Sequence, residues 1–222
     1  PMKVTWLFHQ HREVYDLYDT PYCSFTDDPE EQEIRKTIMR LDNKTLRESQ
    51  RIFTISKNVS SRLDRHNGID SEPLYPPPHY AGCYRAGEFS DYALYAGRLE
   101  PLKRCDLIVE AFRYVDPGAR LVLAGRGPQL EHLKRQVERL GLSDRVHFAG
   151  FVPEEELLEL YASAFAVVYA PVDEDYGYVT VEAFLSEKPV VTCTDSGGTL
   201  EFVEDGVSGC VVEPNPEAVG SA

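Results

Sequence analysis

From Asp91 onward, short apolar runs alternate with segments of helical period, and this alternation limits the possible folds more than any other feature. The apolar runs predict strands at Tyr92–Ala96, Arg120–Ala124, Arg145–Ala149, Ala166–Ala170, Pro189–Thr192 and Cys210–Val212. The intervening segments predict helices at Asp106–Tyr114, Gln129–Leu140, Glu154–Ser163, Val179–Ser186 and, in short form, near Thr199–Glu204. Strands separated by helices join into parallel sheets. We therefore predict an α/β fold with a doubly wound parallel sheet.

The region before this alternation is less regular. It predicts a strand at Val4–Phe8, a helix at Glu30–Glu48, a strand at Arg51–Ile55 and a helix that begins after Ser56 and stops at Asn67-Gly68. The run Tyr75-Pro76-Pro77-Pro78 favours a stiff extended segment, so Pro76–Gly87 is interpreted as a linker.

Two domains follow from this organisation. Residues 1–78 are predicted to form a partial N-terminal α/β domain, and residues 79–222 a C-terminal doubly wound domain. Because residues 1–78 supply only about two βα units, we expect a chain that is cut at both ends.

Charge and cysteine content narrow the function classes. The formal charge is −14, with 23 Lys and Arg against 37 Asp and Glu, so nucleic acid is not an expected partner. The five cysteines are scattered and form no C-x-x-C pair, which predicts neither a disulfide framework nor a zinc site. The longest apolar run, Leu160–Val172, is too short to span a membrane, and the first residues lack signal-peptide features. We expect a protein of the reducing cytosol.

The loop Gly97–Arg104 follows the first strand of the second domain, at the edge where open α/β sheets bind ligands. Arg98 and Lys103 are the cations that a diphosphate site needs, because an arginine contacts two oxygens and a lysine acts as a point charge. The alternative is a solvated loop with a lysine at a helix start.

The segment Glu174–Glu182 spans another strand-to-helix turn. The amides of Gly177, Tyr178 and Val179 are expected to point out of a helix N-terminus, which favours anions. The carboxylates of Glu174 and Glu182 are suited to accept hydrogen bonds from sugar and ribose hydroxyls, although both residues fit ordinary helix capping as well.

The other turns carry weaker signals. Gly125-Arg126-Gly127-Pro128 matches half of a dinucleotide-binding loop, but Leu130 stands where the third glycine is required. The backbone at Val152 follows a strand end and is a candidate ligand contact. His9 and His11 follow the first strand and are candidate catalytic residues, with a surface role as the alternative.

Taken in order, these loops resemble the retaining glycosyltransferases of family 4, which have the two-domain GT-B fold. The matching motifs are Gly97-Arg98-Leu99 with Lys103, Leu123-Ala124-Gly125-x-Gly127-Pro128, Val146-His147-Phe148-x-Gly150, Glu174-x7-Glu182-Ala183 and Ser196-Gly197-Gly198-x-x-Glu201. The first part is similar to the family through Phe53-Thr54-Ile55-Ser56-x-Asn58-Val59 and the proline run.

The resemblance implies a donor site for a nucleotide-diphosphate sugar, UDP- or GDP-linked, in residues 79–222, with the acceptor on the first domain. It assigns the diphosphate to Arg98 and Lys103, the sugar hydroxyls to Glu174, the ribose to Glu182 and the base to the backbone near Val152. Gly97 and the amides of Gly177, Tyr178 and Val179 complete the binding set. Arg98, Lys103, Glu174 and His9 are the expected catalytic residues, with no metal or other cofactor.

The implied activity is transfer of a hexosyl group to a lipid-linked, glycan or other glycoconjugate acceptor in polysaccharide biosynthesis. The expected location is the cytoplasm, with peripheral contact at the inner face of the membrane. Three alternatives stay open: a non-catalytic donor-binding fragment, a GT-B sugar-nucleotide epimerase or phosphorylase, and a nicotinamide-dependent dehydrogenase.

Overall fold

The computed structural model describes residues 2–222 and divides them into two compact units, one ending at Pro76 and one spanning Pro77–Ala222. The division falls two residues before the boundary expected from the proline run. The segment Pro76–Gly87 forms no helix or strand in the described structure. Most of this segment belongs to the second unit, where Tyr84 stacks edge-on against Tyr161. The predicted linker is therefore largely part of the second unit.

The first unit is built on a small parallel sheet. Its elements are β1 (Val4–Leu7), α1 (Pro29–Arg47), β2 (Arg51–Thr54), α2 (Lys57–Asn67) and β3 (Glu72–Pro73), with strand order β1-β2-β3. The Asp28 side chain caps α1 and that of Ser56 caps α2 by accepting backbone N–H groups. Gly68 ends α2 in the left-handed conformation that glycine adopts freely. These caps explain why the sequence predicted both helices closely; β3 was not predicted.

The second unit contains the regular part of the fold. Its strands are β4 (Tyr92–Ala96), β5 (Arg120–Ala124), β6 (Val146–Gly150), β7 (Ala166–Val168), β8 (Val190–Cys193) and β9 (Gly209–Val212). Its helices are α3 (Cys105–Ala111), α4 (Leu130–Arg139), α5 (Glu154–Ser163), α6 (Tyr178–Leu185) and α7 (Pro216–Ser221). The helix predicted near Thr199 is a short 3₁₀ turn at Gly198–Glu201, and α7, capped by Asn215, was not predicted.

The sheet of residues 77–222 has the strand order β6-β5-β4-β7-β8-β9, and its strand pairs are parallel. This confirms the predicted doubly wound α/β class. The central strand β4 is buried along its whole length, as a strand covered by helices on both faces requires. The chain order reverses between β4 and β7, and open α/β sheets bind ligands outside the carboxyl ends of the strands at such a switch point. The candidate loops lie at this edge.

Within residues 2–222, no helix combines the length and the apolar character needed to cross a membrane.

Candidate functional site

A lysine, a tyrosine and a carboxylate meet at the switch point. Lys103 ends the 3₁₀ turn Pro101–Lys103 after β4, and Glu174 lies in the loop after β7. The Lys103 Nζ ion-pairs with Glu174 Oε2 and donates to the Tyr169 hydroxyl at 3.1 Å. The Tyr169 hydroxyl in turn donates to Glu174 Oε2 at 2.7 Å. The structure therefore brings the predicted residues Lys103 and Glu174 into direct contact.

This cluster is largely shielded from water. The Lys103 and Glu174 side chains are 15% and 17% exposed, and Tyr169 is buried. Burial, together with the adjacent Glu174 carboxylate, raises the pKa of Tyr169 well above its usual value. Tyr169 therefore stays neutral and acts as a hydrogen-bond donor to Glu174. A lysine ammonium has three N–H donors, so Lys103 can contact an anion in addition to Glu174 and Tyr169.

Arg98 has a different environment. Its side chain is 73% exposed and its guanidinium pairs with Glu100 at 2.8 Å. A side-chain hydrogen bond fixes the backbone of its loop, because the Tyr95 hydroxyl donates to the Arg98 carbonyl at 2.7 Å. Gly97 lies over the same tyrosine, and a Cβ at this position would be 3.2 Å from the Tyr95 hydroxyl. The loop is thus fixed while the Arg98 guanidinium remains accessible.

Gly125 and Gly127 support this loop. A Cβ at Gly125 would lie 1.7 Å from the Gly97 carbonyl oxygen, and one at Gly127 would lie 2.3 Å from that of Leu99. The Leu99 N–H donates to the Arg126 carbonyl at 2.9 Å. The half-motif that suggested a dinucleotide loop therefore provides close backbone packing beneath Gly97–Leu99. This packing explains both glycines without a phosphate contact.

Glu182 lies on α6 in a pocket of tyrosines. The Tyr161 hydroxyl donates to Glu182 Oε2 at 2.7 Å, and Tyr84 provides a second hydrogen bond to this carboxyl. Tyr161 is fully buried and packs edge-on against Tyr84. Burial raises the pKa of the Glu182 carboxyl, and the two hydrogen bonds partly oppose this rise. Sequence analysis missed both tyrosines, because neither stands at a spacing that a motif would mark.

The raised pKa of Glu182 predicts a pH-dependent stability. The folded protein holds the Glu182 proton more tightly than the unfolded chain does, so protonation of Glu182 adds to the free energy of unfolding. This stabilisation is fully present below the ordinary pKa of 4.5 and is lost as the pH rises through the raised pKa. We expect Glu182→Gln to remove this loss. The measurement is the free energy of urea unfolding at a series of pH values above the ordinary pKa.

The control for this prediction is Glu155→Gln, which changes an exposed carboxyl on α5. The Glu155→Gln curve should follow that of the wild type, while the Glu182→Gln curve should fall less steeply with pH. Parallel curves for all three proteins would contradict the link to Glu182.

The turn before α6 has the geometry of an open helix N-terminus. Gly177 is the N-cap residue, with a left-handed φ of 85°, and Tyr178 and Val179 are the first residues of the helix. A Cβ at Gly177 would lie 2.7 Å from the Thr199 hydroxyl. Because the first N–H groups of a helix have no partner within the helix, this turn can contact an anion or hydroxyls.

The other predicted site residues, Val152, His9 and His11, do not contact the Lys103 cluster or the tyrosines around Glu182 in the contacts described above. Val152 is half-buried after β6, next to Phe151, whose exposed ring faces the Arg126 guanidinium at 5.5 Å. His9 and His11 belong to the first unit and are exposed. The His9 Nδ1 contacts the Gln10 carbonyl at 3.0 Å, and the His11 ring packs edge-on against Phe25. Catalysis by either histidine stays a prediction.

The described residues, 2–222, contain no group of three or more His, Cys, Asp or Glu side chains placed to hold a metal ion. The expectation of metal-independent chemistry stays a prediction.

Known proteins resemble this chain in sequence and in fold. Residues 85–221 match the family model described as glycosyl transferases group 1. The D-inositol 3-phosphate glycosyltransferase of Mycolicibacterium smegmatis is 34% identical over 192 residues, covering 82% of this chain and 44% of the relative. An uncharacterized glycosyltransferase of Methanocaldococcus jannaschii is 35% identical over 129 residues, covering 57% of this chain and 33% of that protein. The chain thus spans less than half the length of these curated relatives.

Solved structures share the fold. HepE of Anabaena, in complex with UDP and glucose, superposes with a TM-score of 0.76 at 23% identity, covering 84% of this chain and 56% of HepE. Sucrose-phosphate synthase from Thermosynechococcus elongatus gives a TM-score of 0.74 at 23% identity, covering 84% and 51%. At these identities the likeness establishes the architecture.

Proposed function

Because this chain belongs to the glycosyl transferases group 1 family and has the predicted GT-B-like fold, we propose that its second unit binds a nucleotide-diphosphate sugar. The observation that carries the proposal is the Lys103–Tyr169–Glu174 cluster at the switch point of the sheet. The cluster places the Lys103 ammonium beside the Glu174 carboxylate, which can accept hydrogen bonds from hydroxyl groups. This pair suits the junction between a diphosphate and a sugar. Residues 79–222 carry a net charge of −12, so the basic loop Gly97–Arg104 is a local exception.

Each part of the donor has a matching group on this edge. Lys103 and the accessible Arg98 contact the diphosphate, and the amides of Gly177, Tyr178 and Val179 assist them. Glu174 accepts hydrogen bonds from the sugar hydroxyls. Glu182, held by tyrosine hydroxyls, accepts those of the ribose, and the backbone near Val152 contacts the base.

The reaction of the whole protein is retaining hexosyl transfer. The bond between the sugar C1 and the diphosphate oxygen breaks, and its electron pair leaves with the nucleoside diphosphate. Arg98 and Lys103 stabilise the negative charge that grows on this leaving group, so no metal is required. The acceptor hydroxyl attacks the oxocarbenium-like C1 from the face that the diphosphate leaves, and its proton passes to the departing diphosphate oxygen.

The HepE structures hold UDP with glucose, and UDP-glucose, which supports a UDP-hexose donor, with a GDP-hexose as the other candidate. The name of the mycobacterial relative specifies a phosphorylated inositol. We propose a hydroxyl-rich acceptor such as a lipid-linked glycan or other glycoconjugate, used in polysaccharide biosynthesis at the cytoplasmic face of the membrane.

Metal-independent nucleotide binding is the first expected result. Calorimetric titration of this chain with UDP, GDP and ADP should show that one of them binds with a micromolar dissociation constant. This corresponds to a binding free energy of about −8 kcal/mol. The affinity should be the same with and without EDTA, because the cations that contact the diphosphate are side chains.

NADH serves as the negative control in this titration, since the glycines of its expected loop are used for packing. Absence of binding by all three nucleoside diphosphates would overturn the proposal, as would binding of NADH alone. Loss of binding in EDTA would overturn the metal-free site.

A further inference from the structure

The Arg104 side chain connects two loops that are remote in sequence. Its Nε donates to the Ala170 carbonyl at 2.7 Å, and its Nη2 donates to the Pro171 carbonyl at 3.0 Å. The guanidinium also makes two hydrogen bonds to the Asp195 carboxylate, at 2.8 and 2.6 Å. Only 13% of the Arg104 side chain is exposed. This set of contacts, the Arg104 clamp, joins the loop after β7 to the loop after β8.

The backbone at the clamp is strained. Arg104 has a φ of 48°, a left-handed conformation that costs a non-glycine residue about 1 kcal/mol. Asp173, beside Glu174, is strained in the same way with a φ of 43°. Such residues persist where surrounding contacts fix the backbone, and they cluster at functional sites. These two adjoin Lys103 and Glu174 in the sequence.

Backbone hydrogen bonds continue from the clamp to the site. The Val172 N–H donates to the Leu102 carbonyl at 2.8 Å, which ties the β7 loop to the turn that carries Lys103. The Asp173 N–H donates to the Asp195 carbonyl at 2.8 Å, and the Gly198 N–H donates to the Glu174 carbonyl at 2.7 Å. The position of Glu174 relative to Lys103 therefore depends on the residues that Arg104 holds.

We propose that Arg104 is a positioning residue that sets the affinity of the site for the sugar part of its donor. This inference rests on the proposed function, because it assigns the sugar hydroxyls to Glu174. Without the clamp, the loops of Glu174 and Gly198 keep their direct backbone hydrogen bonds but lose the guanidinium that fixes them against the turn of Lys103. The Lys103 ammonium and the α6 N-terminus can still contact a diphosphate. The sugar is therefore the part of the donor whose binding depends on Arg104.

The test uses Arg104→Gly in the full chain. Glycine adopts a φ of 48° without strain, so the variant loses the clamp while relieving the backbone. The measurement is calorimetric affinity for the nucleoside diphosphate that the wild type binds and for its glucose ester. We expect binding of the glucose ester to weaken about tenfold, and binding of the nucleoside diphosphate to change less than about twofold.

Two further variants complete the design. Asp195→Asn keeps the bonds to the carbonyls and should give an intermediate effect on the glucose ester. Arg120→Ala removes another Arg–Asp pair, with Asp91, at the amino edge of the same sheet and should leave both affinities unchanged.

The outcomes separate this inference from the proposed function. If the wild type binds a nucleoside diphosphate but Arg104→Gly has wild-type affinities, the positioning role is overturned and the proposed function stands. An equal weakening of both ligands would also overturn it, because that result indicates a general structural role. If the wild type binds no nucleoside diphosphate, both conclusions fall together.

Discussion

Replacing Lys103 with methionine is expected to weaken nucleoside diphosphate binding about 100-fold, the largest loss from any single side chain of the site. Methionine keeps most of the lysine stem and removes the ammonium, so the diphosphate loses its shielded cation. The variant should also be less stable by about 2–3 kcal/mol, because the shielded Glu174 carboxylate loses its ion-pair partner, although the Tyr169 hydroxyl still donates to it. This value is smaller than the roughly 3–5 kcal/mol for breaking a fully buried ion pair, since both side chains keep some exposure.

A second variant separates binding from folding. Lys103→Met combined with Glu174→Gln removes both charges, so the double variant should regain much of the lost stability. Its affinity for the nucleoside diphosphate should stay low. The matched control for loss of a cation is Arg113→Met. It changes an exposed arginine that pairs with Glu110 of α3. Wild-type affinity in the double variant would show that Lys103 does not contact the ligand.

Gly125→Ala is expected to cause the largest loss of stability, about 4 kcal/mol or more, or to prevent accumulation of folded protein. The added Cβ would lie 1.7 Å from the Gly97 carbonyl oxygen, which is far inside van der Waals contact. Neither backbone can move away alone, because the Gly97 N–H donates to the Ala124 carbonyl at 2.9 Å. Thermal unfolding followed by circular dichroism, with nucleotide titration of any folded fraction, measures both effects.

Two other glycines provide controls for Gly125. Gly141 has a left-handed φ of 68° and open space around its Cβ position, so Gly141→Ala should cost only about 1 kcal/mol of backbone strain. Gly82 has open space and no such φ, and Gly82→Ala should be nearly neutral. If Gly125→Ala and Gly141→Ala lose the same stability, the close approach of the two loops is not the cause.

Local patterns in the sequence were sufficient for the architecture of the second unit. Strands β4 and β5 have the predicted bounds, and α5 begins and ends where its period predicted. The reason is that alternation, apolar runs and caps act over a few neighbouring residues. Elements with short or weak signals were missed, including the two-residue strand β3 and the C-terminal helix α7.

The same sequence reasoning reached part of the candidate site. Loop position and residue type predicted Lys103 and Glu174 at one edge of the sheet, and the structure joins them. The spacing Gly125-x-Gly127 weakly predicted a ligand-binding loop. In the structure, these glycines pack against the backbone of Gly97 and Leu99. Spacing alone cannot distinguish these uses, because a glycine admits a ligand and a neighbouring backbone equally well.

The sequence by itself determined the order of βα units, the parallel sheet and the set of polar loops at its carboxyl edge. Only the tertiary structure decided which side chains meet there. Tyr161 is 21 residues from Glu182, Tyr169 is 66 residues from Lys103, and Arg104 is 91 residues from Asp195. Such partners become neighbours after the crossovers bring distant strand ends together, so side-chain pairing depends on the register and rotamers of the packed fold, which no local pattern encodes.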